Sequence, residues 1–237
     1  MLADFPITAQ AGRLDRQVLV PGTVRYALLD FIADELPRWR DHPERRSETS
    51  ELVLTDQLCD YLNSATRISD GWSWIQFRTE VPDEVLPGRQ IDLVLKPCGA
   101  IVFVEGRRHT QFDTLLPIEC KRLPTPKGKD RDEREYVVTG LGTTGGIQRF
   151  KFGFHGAKHC LGAMIAYVQD RTFAHWLDQV NCWIAALSAI PDSQWLPGDA
   201  LQSVRDDVAA GLCTLRSCHK RVGLKDLELR HFWVKMK

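Results

Sequence analysis

Asp92 stands in the apolar run IDLVL, and 27 residues later Glu119 and Lys121 stand in IECK. Side chains alternate across a β-strand, so Glu119 and Lys121 share one face while Ile118 and Cys120 turn to the other, toward a core. If the two strands are neighbours, two carboxylates and an ammonium meet on one face of a sheet. Adjacent carboxylates repel and are unfavourable to bury unpaired, so something cationic must hold them. A hard divalent ion, Mg²⁺ or Mn²⁺, suits carboxylate and carbonyl oxygens, and the carbonyl of Cys120 can add a further ligand. Such an ion neutralises the charge that builds on a phosphodiester under in-line attack, with Lys121 orienting the attacking water and steadying the transition state. The chemistry implied is phosphodiester hydrolysis. Because the ion rather than packing would hold Asp92 and Glu119, removing either is expected to leave folding nearly intact.

The elements that must position these residues follow from periodicity. Val24, Ala27, Leu28, Phe31, Ile32 and Leu36 recur at helical spacing over 23–39, and Leu54, Leu58, Tyr61 and Leu62 do so over 51–65. Three extended segments, 72–81, 89–96 and 112–123, read as a meander, with a further strand at 100–106. The stretch 125–136 is dense in charge of both signs and reads as a solvated loop beside the site. A short helix entered through a flexible glycine turn is expected within 140–159, a buried strand at 161–170 and a third long helix over 173–190. The tail predicts a short helix around 199–210, then strands near 212–220 and 227–235 forming a hairpin on the sheet edge.

Composition bounds the class. The 237 residues are 43% hydrophobic and 26% charged, which fits a folded chain rather than a disordered one. The 31 basic and 31 acidic residues cancel, so any phosphate-binding surface must be local. No run is apolar and long enough to span a bilayer, the first residues do not read as an export signal, and seven scattered cysteines suit reduced thiols; a cytoplasmic protein is expected. Cys213, Cys218 and His219, like His155, His159 and Cys160, lack the paired spacing of a structural zinc site.

A helix with an early acid, strands bearing D and E-x-K, then a further helix and strand together resemble the PD-(D/E)XK nuclease superfamily over roughly 50–190. The resemblance implies an α/β fold with a restriction-endonuclease-like αβββαβ core, a central mixed sheet flanked by helices. It implies boundaries at 1–48 for an N-terminal helical extension, 49–190 for the core and 191–237 for a C-terminal addition packed on the same domain. By position Asp92 matches the first acid, Glu119 and Lys121 the E-x-K pair, and Glu51 the acid on the preceding helix that helps place the metal. Gln148 in GGIQRF looks like the helical glutamine of some branches, although its tyrosine-like partner is missing. Ile91 replaces the proline of the motif, which supplies no ligand.

The supporting residues each have a second reading. Glu51 can simply favour the first turn of its helix. Gln148 and Arg149 lie either where a helix entry meets a phosphate or on an ordinary polar turn. Arg122, Lys127, Lys129 and Arg131, with Arg107, Arg108 and His109, form either a nucleic-acid-binding edge with steep salt dependence or a solvated surface. Trp72 and Trp74 either stack on bases or pack in the core.

By resemblance the chain is expected to be an Mg²⁺- or Mn²⁺-dependent endonuclease, acting on DNA in a restriction or anti-phage defence setting. Nothing reads base sequence, so a second copy or a partner protein is expected to supply targeting. Two other classes remain: an inactive nuclease-fold subunit that binds nucleic acid or scaffolds a complex, and a hydrolase or transferase of small phosphorylated molecules. GLGTTGG lacks the Walker lysine that the last would need.

Overall fold

The computed structural model describes residues 17–20 and 23–237 apart from 105, 130 and 141. The rest of the expected N-terminal extension lies outside the described residues, as do single positions of the expected 100–106 strand, the charged loop and the glycine turn. Strand β1 (Gln17–Val20) precedes helices α1 (Val24–Arg40) and α2 (Glu51–Ile68). Strands β2 (Ile75–Pro82), β3 (Gln90–Pro97), β4 (Ile101–Val104), β5 (Arg107–His109) and β6 (Leu116–Leu123) follow. Then come α3 (Gly146–Lys151), β7 (Leu161–Val168), α4 (Phe173–Ser188), β8 (Gln202–Asp207), β9 (Leu212–His219) and β10 (Leu227–Lys235).

Seven strands form one mixed sheet in the order β2-β3-β6-β7-β10-β9-β8, and β1, β4 and β5 form a small second one. β2, β3 and β6 are an antiparallel meander; β6, β7 and β10 run parallel; β9 and β8 close the far side antiparallel. Every residue of β7, LGAMIAYV, is buried, as a parallel strand covered on both faces requires. On one face Leu28, Ile32 and Leu36 of α1 and Leu54, Leu58 and Leu62 of α2 pack over Leu93, Ile118, Cys120 and Ile165. On the other, Phe150 of α3 and Trp176, Val180 and Ile184 of α4 pack over Leu123, Met164, Ala166 and Trp233. Asn63 fastens α2 to the edge strand, its Nδ2 donating to the Phe77 carbonyl at 3.0 Å while its Oδ1 accepts the Phe77 N–H at 2.8 Å.

The tail corrects one expectation. The segment expected as a helix around 199–210 is a 3₁₀ turn, Pro197–Asp199, followed by β8. The expected hairpin of 212–220 and 227–235 forms as β9 and β10; β8 extends the sheet beyond β9, and β10 is the member that lies against β7. Its Leu229, Phe232, Trp233 and Val234 are buried against both layers, and its polar residues are neutralised locally, Arg230 Nε lying 2.7 Å from Glu228 Oε1. A strand so apolar is most stable covered on both faces.

A file of buried polar groups crosses the core between β10 and the 3₁₀ turn. Trp233 Nε1 donates to Tyr136 Oη at 2.9 Å, and that hydroxyl lies 2.8 Å from His231 Nδ1. His231 Nε2 lies 2.8 Å from Ser217 Oγ, which lies 2.7 Å from His219 Nε2. His219 Nδ1 reaches Asp199 Oδ1 at 3.0 Å, and Lys151 Nζ closes the file on Asp199 Oδ2 at 2.8 Å. Since the indole can only donate and the carboxylate only accept, one set of proton positions satisfies every link. Each O–H or N–H points toward Asp199, and both imidazoles are neutral. Burial holds His219 and His231 below the ordinary histidine range, which agrees.

Among the described residues no helix is long and apolar enough to cross a membrane.

Candidate active site

β3 and β6 pair only from Leu93↔Ile118 to Leu95↔Leu116, and past Ile118 the two strands part. The N–H groups of β6 beyond that point face an opening and need other acceptors. Asp92 Oδ2 accepts the N–H of Cys120 at 2.9 Å, and Glu51 Oε2, from the first turn of α2, accepts the N–H of Arg122 at 3.1 Å. Two acids from separate elements thus finish the ladder that β3 leaves open.

The same acids converge on one cation. Lys121 Nζ lies 3.2 Å from Glu51 Oε1, 3.2 Å from Asp92 Oδ2 and 3.1 Å from Glu119 Oε1, and donates to the Cys120 carbonyl at 2.8 Å. Glu119 is fully buried. It also receives Arg149 Nη1 of α3 on Oε1, and His155 Nδ1 donates to its Oε2 at 3.1 Å. A side of the site opens into a cleft of about 570 Å³ bordered by Arg89, Asp92, Thr143, Thr144, Arg149 and His155.

The acidities divide accordingly. Burial, followed by the charge of Glu119, pushes Asp92 up to about 6 against the pull of Lys121. Burial would raise Glu119 too, but Lys121, the His155 hydrogen bond and Arg149 outweigh it and hold that carboxyl well below the usual range. Burial alone would lower Lys121; the charges of Asp92, Glu119 and Glu51 keep it well above its ordinary value. Burial raises the Cys120 thiol, so at neutral pH this residue offers the site a carbonyl and not a thiolate.

The structure therefore brings Glu51, Asp92, Glu119, Lys121 and the Cys120 carbonyl together. The other expected residues are placed differently. Gln148 turns back on its own helix, its Oε1 within 3.3 Å of the N–H groups of Gly145 and Thr139, so it caps α3. Arg149 is engaged by Glu119, at the border of the cleft. The Arg122 guanidinium donates to the Thr49 carbonyl at 2.8 Å. Lys127 and Lys129 are exposed on the loop after β6, where Lys127 borders a different cavity beside Asp170 and Trp176. Trp74 is in the core and Trp72 packs on it, 5.7 Å from Phe31 between ring centroids, which removes both from base stacking.

The glycine turn before α3 is a close approach. A Cβ on Gly145 would stand 2.4 Å from the Val138 backbone, and one on Gly146 2.8 Å from the Tyr136 carbonyl. The bare backbone lets α3 press against the 136–138 segment, and a Cβ on Gly146 would also stand 3.5 Å from Lys121 Cγ.

Two contributors escaped the sequence reading. His155 reaches Glu119 after the chain leaves α3 through the left-handed turn at Gly153, where φ is +70°; its neighbour His159 goes elsewhere, to Glu84 at 2.8 Å. Glu135 stands close enough for Lys121, Glu51 and Arg149 to act on its acidity, although burial dominates and raises it. The one available signal was a histidine just after a helix already assigned to the site.

Asp199, His219 and Ser217 have the residue types of a nucleophilic triad. All three are at most 2% exposed, and His231 takes the remaining side of the Ser217 hydroxyl, so no substrate carbonyl can reach it.

Among the described residues no group of three or more His, Cys, Asp or Glu side chains is arranged as a metal-ligand set. The acids surround an ammonium, and their spacing suits that cation. Neither a family model, nor a curated protein, nor a solved structure matches the chain.

Proposed function

We propose that the chain is a metal-dependent nuclease of the PD-(D/E)XK kind, hydrolysing phosphodiester bonds in nucleic acid, with DNA as the preferred substrate. The observation that carries this reading is the convergence of Glu51, Asp92 and Glu119, from α2, β3 and β6, on the single nitrogen of Lys121. The order of α2, the β2-β3-β6 meander, α3 and parallel β7 supports an αβββαβ core, with β4 and β5 inserted before β6. Restriction or anti-phage defence, with a second copy or partner protein supplying targeting, follows from the family resemblance.

The donor chemistry fits Mg²⁺ or Mn²⁺: carboxylates of Asp92, Glu119 and Glu51, and the carbonyl of Cys120. Because Lys121 holds the place between them, ion and ammonium compete for one position. What the ion supplies when bound is Lewis acidity toward the phosphoryl group and a more acidic water. The chain does the rest. Glu119, locked by His155, keeps a fixed carboxylate beside Lys121. The Lys121 ammonium, on a stem pressed by α3, donates to the attacking water or to the oxygen on which charge grows. Arg149, at the border of the cleft, offers its guanidinium to the phosphate.

Cleavage of plasmid and oligonucleotide substrates with Mg²⁺ or Mn²⁺ tests this. Wild type is expected to cut, with Asp92→Ala and Lys121→Ala reduced at least a hundredfold; equal activity in both variants rules the mechanism out. Melting gives an independent readout, since the ion should raise Tm in wild type and not in Asp92→Ala.

A second reading, an inactive subunit of the same fold, is favoured by the neutralisation of Glu119 by Lys121 and Arg149 and by the missing ligand set. It predicts nucleic-acid binding without cleavage at any metal concentration.

A further inference from the structure

A second pocket, of about 220 Å³, lies where β5, the chain entering β6, the loop between α3 and β7 and the loop between β9 and β10 meet. Its walls carry Arg25, Arg107, Lys158 and Lys225, with His109 and His159. His109 is only 6% exposed, yet its Nδ1 is buried without a hydrogen-bond partner among the described residues. An unpaired buried nitrogen of this kind is unfavourable by about 1–3 kcal/mol and points to a missing partner.

Among the described residues, two acids close to the pocket are engaged. Glu84 accepts from His159 Nε2 at 2.8 Å, and Asp113 accepts the N–H and hydroxyl of Thr110 at 2.7 and 2.8 Å. The walls are also fixed: Arg221, itself buried, donates from Nη2 to the His159 carbonyl at 2.7 Å and from Nε to the Lys225 carbonyl at 2.6 Å. One guanidinium thus ties together the two loops that bring Lys158 and Lys225.

We infer that this pocket binds a phosphate group. Arg107, Lys158 and Lys225, from three segments of the chain, line a pocket that His109 also borders and match an anion with oxygens in several directions; a planar carboxylate would use only some of them. A metal ion is excluded by the surrounding positive charge. The volume lies below the usual range for a drug-sized ligand, so the pocket takes a phosphate rather than a whole nucleotide. The loop 152–160 links it to the candidate active site, carrying His155 to Glu119 and Lys158 to this pocket. The inference stands on the pocket alone and does not need the nuclease reading.

The test follows the His109 imidazole by NMR in the intact chain, assigned with His109→Gln, during titration with inorganic phosphate and then with a short oligothymidylate. Chloride at matched ionic strength is the control. Saturation by either phosphate source but not chloride, weakened at least tenfold in Lys158→Glu and in Arg107→Glu, bears the inference out. Both side chains are exposed, so these variants should fold. The source that saturates at lower concentration separates free phosphate from a phosphodiester backbone. No saturation by either, an equal response to chloride, or undiminished binding in both variants overturns it. Lys121→Ala should keep the pocket's binding.

Discussion

Asp92 and Glu119 lie on the same ammonium nitrogen, at 3.2 and 3.1 Å, and yet their acidities are driven in opposite directions. Glu119 has Arg149 and His155 in addition to Lys121, whereas Asp92 has a backbone N–H and the repulsion of Glu119. Two carboxylates that alternate along neighbouring strands as equals are therefore unequal in the folded chain. One is fixed as an anion, and the other titrates near neutrality.

The first prediction concerns that titration. Asp92 has a folded pKa of about 6 against an ordinary 3.8, so its protonated form is favoured by folding. Its contribution to stability is present below pH 3.8 and is lost as pH rises toward 6, by about 3 kcal/mol in total. Asp92→Asn mimics the protonated form. Without metal, the variant should match wild type near pH 4 and be more stable at pH 7.5, the gap opening between those values. Urea denaturation across pH measures it, and a constant gap would mean that the carboxyl is not shifted.

Glu119 should behave in the reverse sense, and here the structure departs from the expectation that either acid can be removed without loss of folding. Glu119 is buried among cations and carries no exposure to water, so Glu119→Ala leaves Lys121 and Arg149 with less compensation. Its lowered pKa stabilises the fold above the ordinary carboxylate value, and that contribution is lost as pH falls below about 4.5. The variant should lose about 3 kcal/mol at pH 7. Thermal melting of the two single variants side by side distinguishes them: a similar Tm would put both acids in one class.

That Glu119 and Lys121 share a face was legible because strand alternation is local, and a two-residue period in IECK needs no knowledge of the partner strand; that Asp92 joins them depended on β3 and β6 being neighbours, which they are. Glu51 was reached only through the resemblance, since its helix alone left it equally an ordinary first-turn acid. Long-range placement was not legible. That β9 and β10 form a hairpin was legible, but the parallel docking of β10 on β7 and the strand β8 beyond β9 were not, since register between distant strands is not local. His155 reaches Glu119 only after the chain turns at Gly153, a conformation that the spacing of histidines does not encode. Gln148 shows the converse case. Its position suits a site residue, but the nearest unsatisfied N–H groups are those of its own helix entry, and it caps them.

Gly145 gives a third prediction. Its φ of −65° is open to any residue, so the glycine is there for space and not for backbone freedom. A methyl group 2.4 Å from the Val138 backbone has no flexible side chain to displace. Gly145→Ala should therefore cost about 1–3 kcal/mol by overpacking and push α3, with Arg149, away from Glu119. If the nuclease reading holds, cleavage should fall in the same variant. A melting temperature equal to that of wild type would show that the 136–138 segment yields freely.

The last prediction concerns the buried file ending at Asp199. Lys151 and Asp199 are each 1% exposed and 2.8 Å apart, with His219 on the other carboxylate oxygen. In Asp199→Asn the Lys151 ammonium keeps the Lys220 carbonyl at 3.2 Å and the Trp195 ring, but loses its counter-charge. A loss of about 3–5 kcal/mol is expected, most of it from the stranded cation. The double variant Lys151→Met, Asp199→Asn should recover a large part of that, since an apolar side chain of similar volume strands nothing. Acid should weaken the same region: His219 and His231 fold as neutral rings, so their contribution is present above the ordinary value of 6.5 and is lost as pH falls below it. Chemical denaturation of both single variants and the double at pH 7.5 and 5.5 tests the set. A double variant no more stable than Asp199→Asn would move the cost from the unpaired lysine to the broken file of hydrogen bonds.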